Sequence, residues 1–309
     1  DGNIIARGEA APSARYNESI NTLLDIINND IILPQNLYDR KIIWDFIYPQ
    51  LKGVKALEAA FSMALWDWWG QKLGKPIYSL FQLGELRMPL TSYTIAIGDL
   101  DDIAKKVEEA EPYSILKIKL GTPSKDKEII KEVRKITDKL IRIDANEGWE
   151  EDSALHMCNW LADQNVEFIE QPFPANQLLQ TANLRKKSPL DIYADENSVS
   201  TIDIPKIRHA FDGINIKLMK CGSLEEAQNM INMAKSFKMK TMLGCMVETS
   251  IGITAASHLA ANVDCVDLDG NLLIKNDPYK GATVLNGKLV LPEQNGLGVK
   301  LTSKEDGLL

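Results

Sequence analysis

Three short apolar runs in this chain each end on an acid: Ile141-Arg142-Ile143-Asp144, Val166-Glu167-Phe168-Ile169-Glu170 and Ile192-Tyr193-Ala194-Asp195. Asp144 and Glu170 are 26 residues apart, and Glu170 and Asp195 are 25 apart. A helical stretch fills each gap. The spacing therefore predicts neighbouring parallel strands with one carboxylate at the same end of each. Three carboxylates held together repel one another and resist ionisation. A hard divalent cation removes that conflict, and an all-oxygen ligand set suits Mg²⁺. The trio Asp144, Glu170 and Asp195 reads as a metal site, and the chain as a scaffold that presents it.

The surrounding sequence repeats the same unit. From Pro89 onward, short β-rich runs alternate with amphipathic helical stretches. Strands are expected over residues 90–97, 115–120, 140–144, 167–170, 191–195, 213–217, 241–244 and 264–268. Helices are expected over 125–138, 152–163, 224–237 and 251–261. Eight strands at a nearly constant period favour a closed β/α barrel over an open sheet. Val284-Leu285-Asn286-Gly287-Lys288-Leu289-Val290 carries Asn-Gly between apolar runs, a hairpin signal. No full helix is expected after the eighth strand.

Residues 1–89 read as a small α+β unit. A strand is expected over 3–10 after a turn at Asp1-Gly2-Asn3, and helices over 18–31 and 38–51. A helix with one buried face is expected over 54–73, from Val54, Leu57, Phe61, Leu65 and Trp68, stopped by Gly74-Lys75-Pro76. Trp66, Trp68 and Trp69 read as packing. The expected division is a capping unit at 1–89, a barrel at 90–283, and a hairpin and tail at 284–309 that return to the cap. The chain begins without methionine, and its natural N-terminus is expected to lie upstream.

Composition excludes several classes. The formal charge of −8 argues against nucleic acid as a partner. No apolar run has the length of a membrane span. The four cysteines, Cys158, Cys221, Cys245 and Cys265, form no CxxC pair and no zinc spacing, and read as reduced thiols of a cytoplasmic protein. His156, His209 and His258 read as structural.

Barrel chemistry gathers at the C-terminal ends of the strands. There the sequence sets Thr94, Lys119, Asp144, Glu170, Asp195, Lys217, Cys245 with Met246, and Asp267 with Asp269. Strands two and six of a closed barrel lie opposite one another, so Lys119 and Lys217 should face each other across the mouth. Two bases on opposite sides of a bound carbon can move its proton and invert it. A metal between them would stabilise the negative charge made by proton removal. Lys117, two residues before Lys119, points the same way and is expected to lower the proton affinity of its neighbour.

At this point the chain resembles a known family. Leu116-Lys117-Ile118-Lys119, Ile143-Asp144-Ala145-Asn146, Glu170-Gln171-Pro172, Ala194-Asp195-Glu196, Asn215-Ile216-Lys217 and Leu243-Gly244-Cys245-Met246 occur in order at barrel spacing. The set is similar to the muconate-lactonising subgroup of the enolase superfamily, and most of all to its dipeptide epimerases. Ala64-Leu65-Trp66-Asp67 and Gly74-Lys75-Pro76 are similar to that family's capping domain. The resemblance implies a modified (β/α)7β TIM-like barrel with a partial α+β capping domain. It implies one Mg²⁺ per subunit on Asp144, Glu170 and Asp195, with Lys119 and Lys217 as acid/base catalysts and Lys117 assisting. Asp267 and Asp269 would hold the free ammonium of a dipeptide. Thr94 would lie near its carboxylate, and Cys245 and Met246 against its peptide unit. The implied reaction is epimerisation through an enediolate, on a substrate such as L-Ala-D/L-Glu in murein peptide recycling. The implied protein is cytoplasmic and often a homo-oligomer. The lid loop of that family would precede Asp1. On the same scaffold the rivals are an N-acylamino acid racemase, an o-succinylbenzoate synthase and a muconate cycloisomerase. From another class, the rival is a lidless barrel that only binds.

Overall fold

Short parallel strands covered by helices are buried on both faces, and in seven of the eight strands of the barrel at most one residue is not buried. The computed structural model describes residues 4–29, 31–34, 38–82, 87–96 and 102–302. Its centre is a sheet of β1 (Ser92–Ile95), β2 (Ile115–Lys119), β3 (Leu140–Asp144), β4 (Val166–Glu170), β5 (Asp191–Ala194), β6 (Gly213–Ile216), β7 (Lys240–Leu243) and β8 (Cys265–Val266). The strands pair in sequence order, all parallel, and a Thr91–Val266 bridge joins the last to the first. The result is a closed eight-stranded barrel. Helices such as Pro123–Ile136, Glu151–Ala162 and Leu224–Ser236 cover its outside.

Five of the strands, β1, β2, β5, β6 and β8, are shorter than the sequence suggests, whereas β3 has the expected bounds, β4 starts one residue earlier and β7 is shifted by one. Asp195, Lys217 and Asp267 stand one residue beyond β5, β6 and β8, and Lys119, Asp144 and Glu170 end β2, β3 and β4. After β8 the chain makes a 3-10 turn, Gly270–Leu273, and later a hairpin of Thr283–Leu285 and Lys288–Val290. Asn286 and Gly287 both have positive φ, 51° and 74°, as a two-residue hairpin turn requires. The hairpin lies at the start of β1, where Thr91 N–H donates to the Gly287 carbonyl at 2.8 Å.

Three helices stand over the barrel: α1 (Ile20–Asn29), α2 (Arg40–Ile47) and α3 (Lys55–Leu73). Asp39 caps α2, accepting from the Lys41 and Ile42 N–H groups. Residues 48–51 form a separate 3-10 turn instead of extending α2, because Pro49 offers no N–H. Gly74, at φ 66°, ends α3, and Lys75 N–H closes on the Gly70 carbonyl at 2.9 Å. The expectation of one buried face on α3 is corrected: Ala56, Glu58, Ser62, Trp66, Asp67 and Trp68 are all buried, around most of its circumference. The helix is enclosed by the N-terminal segment, α2 and the barrel.

The strand expected over 3–10 is also corrected. The described residues 4–13 form no regular element and pair with no strand among the described residues. Side chains of α3 replace the ladder: Arg7 N–H donates to Asp67 at 2.9 Å, and Gln71 donates to the Ile5 carbonyl at 3.1 Å. Gly8 lies so close to α3 that a Cβ there would stand 1.9 Å from the Ala60 carbonyl oxygen. The turn expected at Asp1-Gly2-Asn3 lies outside the described residues. The tail reaches the same helix, where Leu297 N–H donates to Asp67 at 2.9 Å and Ile77 N–H to the Gly296 carbonyl at 3.1 Å.

Candidate active site

Inward positions two residues apart on each strand divide the barrel interior into two layers. The lower layer is Phe168, Tyr193, Met242 and Cys265, with the Phe168 and Tyr193 rings stacked 4.1 Å apart. Arg142 lies beside it, bonded to Glu167 at 2.8 Å and to the Val266 carbonyl at 2.8 Å. The upper layer is ionic.

Asp144, Glu170 and Asp195 are at most 3% exposed, and each offers an oxygen within 4.8 Å of the others. Each carboxylate has one oxygen held from behind. Asp144 Oδ1 accepts from Asn146 N–H at 3.1 Å, Glu170 Oε1 from Asn215 Nδ2 at 2.7 Å, and Asp195 Oδ1 from Lys220 Nζ. The second oxygens face lysines. Lys119 Nζ lies 2.6 Å from Asp144 Oδ2, and Lys217 Nζ 2.6 Å from Asp195 Oδ2. Glu170 Oε2 has no aligned donor among the described residues; it faces the Lys117 ammonium as a bare charge at 2.9 Å.

The electrostatics follow from burial. Burial raises Glu170 above the usual carboxylate range, and the Asp144 charge adds to it. For Asp195 burial also resists ionisation, but the Lys217 and Lys220 ammoniums outweigh it and hold the acid well below its usual range. Burial favours neutral Lys217, yet Asp195 and Glu170 overcome this and raise it. Lys117 stands 3.1, 2.9 and 2.8 Å from Asp144, Glu170 and Asp267. Those three acids overcome burial and push Lys117 far above its ordinary value. Lys117 is thus a fixed positive charge beneath the site, and it shares the Asp144 carboxylate with Lys119.

A cavity of ≈ 290 Å³ opens over this layer. Of the residues singled out in the sequence, Thr94, Lys117, Lys119, Asp195, Lys217, Cys245, Met246, Asp267 and Asp269 line it. Asp144 and Glu170 lie underneath. Asp267 is committed inside the protein, taking Ser92 Oγ at 2.6 Å and facing Lys117. Asp269 accepts from Thr94 N–H at 2.5 Å and is pushed up to about 7 by burial and by the Asp267 charge. Cys245 is one of four free cysteines, and its thiol is pushed up by burial, so it is no nucleophile.

The sequence reading missed the wall made by the N-terminal segment: Ser13, Arg15 and Tyr16 line the cavity. Arg15 pairs with Glu147, 2.5 Å away, on the turn that follows β3. No periodicity signals such a contact between residues 132 positions apart. Lys220 was missed as well, although its spacing of three from Lys217 put both on one turn. His258 is structural: it accepts from Tyr78 N–H at 3.3 Å and meets the Leu297 carbonyl at 3.1 Å.

Residues 99–305 match the model of a family described as enolase C-terminal domain-like. The chain is 44% identical over 246 residues to an L-Ala-D/L-Glu epimerase of Bacteroides thetaiotaomicron, covering 79% of this chain and 64% of that one. It is 40% identical over 304 residues to an L-Ala-D/L-amino acid epimerase of Pedosphaera parvula, covering 96% of this chain and 87% of the relative. A crystal structure of a dipeptide epimerase from Cytophaga hutchinsonii, complexed with Mg and the dipeptide D-Ala-L-Val, superposes with a TM-score of 0.88 at 26% identity. That match covers 98% of this chain and 87% of the other. The acid trio fits the same ion: it offers three hard oxygens, one each from the ends of three neighbouring strands, all within 4.8 Å of one another. No helix among the described residues is long and apolar enough to cross a membrane.

Proposed function

Because the chain belongs to the enolase C-terminal domain-like family, we propose that it is an isomerase that epimerises dipeptides at the α-carbon of the C-terminal residue, by proton transfer between two lysines beside a bound Mg²⁺. One observation carries this reading. Lys119 on β2 and Lys217 after β6 come from strands four apart in the barrel, and each touches an acid of the same trio. The residues divide into a cap at 1–89, a barrel at 90–283 and a returning tail at 284–309.

Asp144, Glu170 and Asp195 hold one Mg²⁺ per subunit. When bound, the ion offsets the charge that gathers on the substrate carboxylate as the α-proton leaves. Lys119 and Lys217 flank the α-carbon. One of them, neutral, takes the proton: the Cα–H bond breaks, an N–H bond forms, and the electron pair passes into the carboxylate as an enediolate. The other lysine, protonated, returns a proton to the opposite face. The two lysines end with exchanged protonation states, which are those the reverse reaction needs. Lys117 stays charged throughout and holds positive potential beneath the reacting carbon.

Asp267 and Asp269 receive the substrate ammonium, with Asp269 making the direct contact, since Asp267 already serves Ser92 and Lys117. Thr94 stands near the substrate carboxylate, and Cys245 and Met246 bound the peptide unit. The substrate is L-Ala-D/L-Glu, in keeping with the name of the Bacteroides relative, as in murein peptide recycling in the cytoplasm. The protein acts as a homo-oligomer without nucleic acid.

Incubation with L-Ala-L-Glu and Mg²⁺ in D₂O, followed by NMR, tests this. Deuterium at the glutamate α-carbon together with L-Ala-D-Glu is expected. In Lys217→Ala epimerisation stops, while one-sided exchange through Lys119 survives. Exchange with N-acyl amino acids and with no dipeptide would transfer the assignment to a racemase. Mg²⁺ binding without any exchange would leave a protein that only binds.

A further inference from the structure

Lys220 is 1% exposed and sits one turn after Lys217, in the short helix Leu218–Cys221. It is absent from the cavity wall, and no step of proton transfer uses it. Its ammonium is nevertheless fully engaged. It donates to Asp195 Oδ1, to the Asp195 carbonyl at 2.6 Å and to the Asn215 carbonyl at 2.9 Å. An ammonium has three N–H donors, and here each has an acceptor.

These bonds tie the end of β5 to the end of β6. Asn215 continues the connection, since its side chain donates to Glu170 Oε1. The chain of contacts therefore runs from Glu170 through Asn215 and Lys220 to Asp195. Asp144 has its own rear donor, the Asn146 N–H. A carboxylate with one oxygen held can neither rotate nor chelate through both.

We propose that Lys220 is a positioning residue that pins the rear oxygen of Asp195, so that Oδ2 alone is offered to the divalent cation. The inference rests on the metal-centre reading above. A purely electrostatic part for Lys220 has the opposite sign. A cation beside a ligand weakens that ligand's attraction for Mg²⁺, so removing it would tighten binding. A positioning part predicts that removing it loosens binding.

Calorimetric titration of Mg²⁺ into the full chain reads that sign without reference to turnover. Wild type, Lys220→Met and Lys220→Gln are compared, with folding followed by circular dichroism and Asp195→Asn as the ligand control. The Met variant should raise Kd by about 10–100-fold, the usual effect of removing a group that orients a ligand. The Gln variant keeps two N–H donors and should lose less. An unchanged or lower Kd in the Met variant overturns the proposal and leaves the metal centre standing. Failure of the wild type to bind Mg²⁺ overturns both. If neither variant folds, ¹⁵N-lysine NMR of the unaltered protein decides. Slowly exchanging Lys220 ammonium protons that persist at saturating Mg²⁺ are expected; their loss on adding Mg²⁺ refutes it.

Discussion

The two layers of the barrel interior are built from the same strands and have opposite characters. On β4, Phe168 faces the floor and Glu170 the mouth; on β3, Arg142 and Asp144 divide in the same way. At the floor an aromatic stack fills the barrel, and the one guanidinium beside it has a carboxylate and a carbonyl to bond. At the mouth, acids and lysines sit within ion-pair distance of one another, and buried oxygens such as Glu170 Oε2 and Glu196 Oε2 lack an aligned donor among the described residues. Buried ion pairs contribute little net stability, because desolvation offsets attraction. The floor is thus arranged for stability and the mouth for reactivity. Two residues along one strand separate the two.

The sharpest way to break that contrast is a matched pair on β4. Glu170→Gln should lower α-proton exchange by at least about 10²-fold, the scale of removing one preorganised electrostatic group. Its melting temperature should stay level or rise, since like charges at the mouth are relieved. Phe168→Ala should cost about 3–5 kcal/mol of stability, as for other buried aromatics, with the exchange rate per folded molecule kept. Urea denaturation together with exchange in D₂O measures both. Equal stability losses in the two variants would refute the division into layers.

Much of this division was legible in the sequence, because it depends on two regular quantities. The period of the β/α units placed the eight strands, and acids or lysines at strand ends marked the mouth. The floor was less legible. Phe168 and Tyr193 read only as apolar strand residues, and nothing local says that Arg142 turns into a barrel. Contacts between distant segments were invisible, as with Arg15 on Glu147 and Glu9 on Thr249 and Gly252. Residues 3–10 alternate weakly, as a strand does, but Ile5 and Arg7 bond to side chains of α3, which a pattern of one residue in two cannot reveal.

A smaller effect sharpens the picture within the mouth. Asp267 is bonded to Ser92 and Lys117, whereas Asp269 accepts from Thr94 and faces the cavity. Asp269→Asn should raise KM about 10–100-fold for dipeptides, in line with about 1.5–3 kcal/mol for a hydrogen bond to a charged group. An N-acetylated dipeptide should lose little. Because burial and Asp267 push Asp269 up to about 7, the acid is largely protonated below that pH. KM for a free dipeptide should therefore fall as pH rises through 7, and the Asn variant should lose this dependence. A KM profile that is the same in both proteins would remove Asp269 from ammonium binding.

The smallest effect concerns a mouth residue that behaves like the floor. Glu248 is 3% exposed and accepts from Met246 N–H at 2.7 Å, under the turn that lines the cavity. Burial, helped by the charge of Glu9, pushes it up to about 8. Glu9 itself is held by Thr249 and by Gly252 N–H, so it brings the N-terminal segment against this turn. Unfolding returns Glu248 to an ordinary carboxylate value, so the folded chain binds the extra proton between the two values. Its contribution to stability is complete below the unfolded pKa and disappears as pH rises through about 8. Denaturation midpoints should thus decline between pH 5 and 8 in the wild type. In Glu248→Gln, which cannot ionise, the decline should be shallower while proton exchange continues. If the two slopes coincide, Glu248 is ionised in the folded protein. If exchange disappears instead, the turn belongs to the reactive layer, and the boundary between stability and reactivity lies deeper than the strand ends.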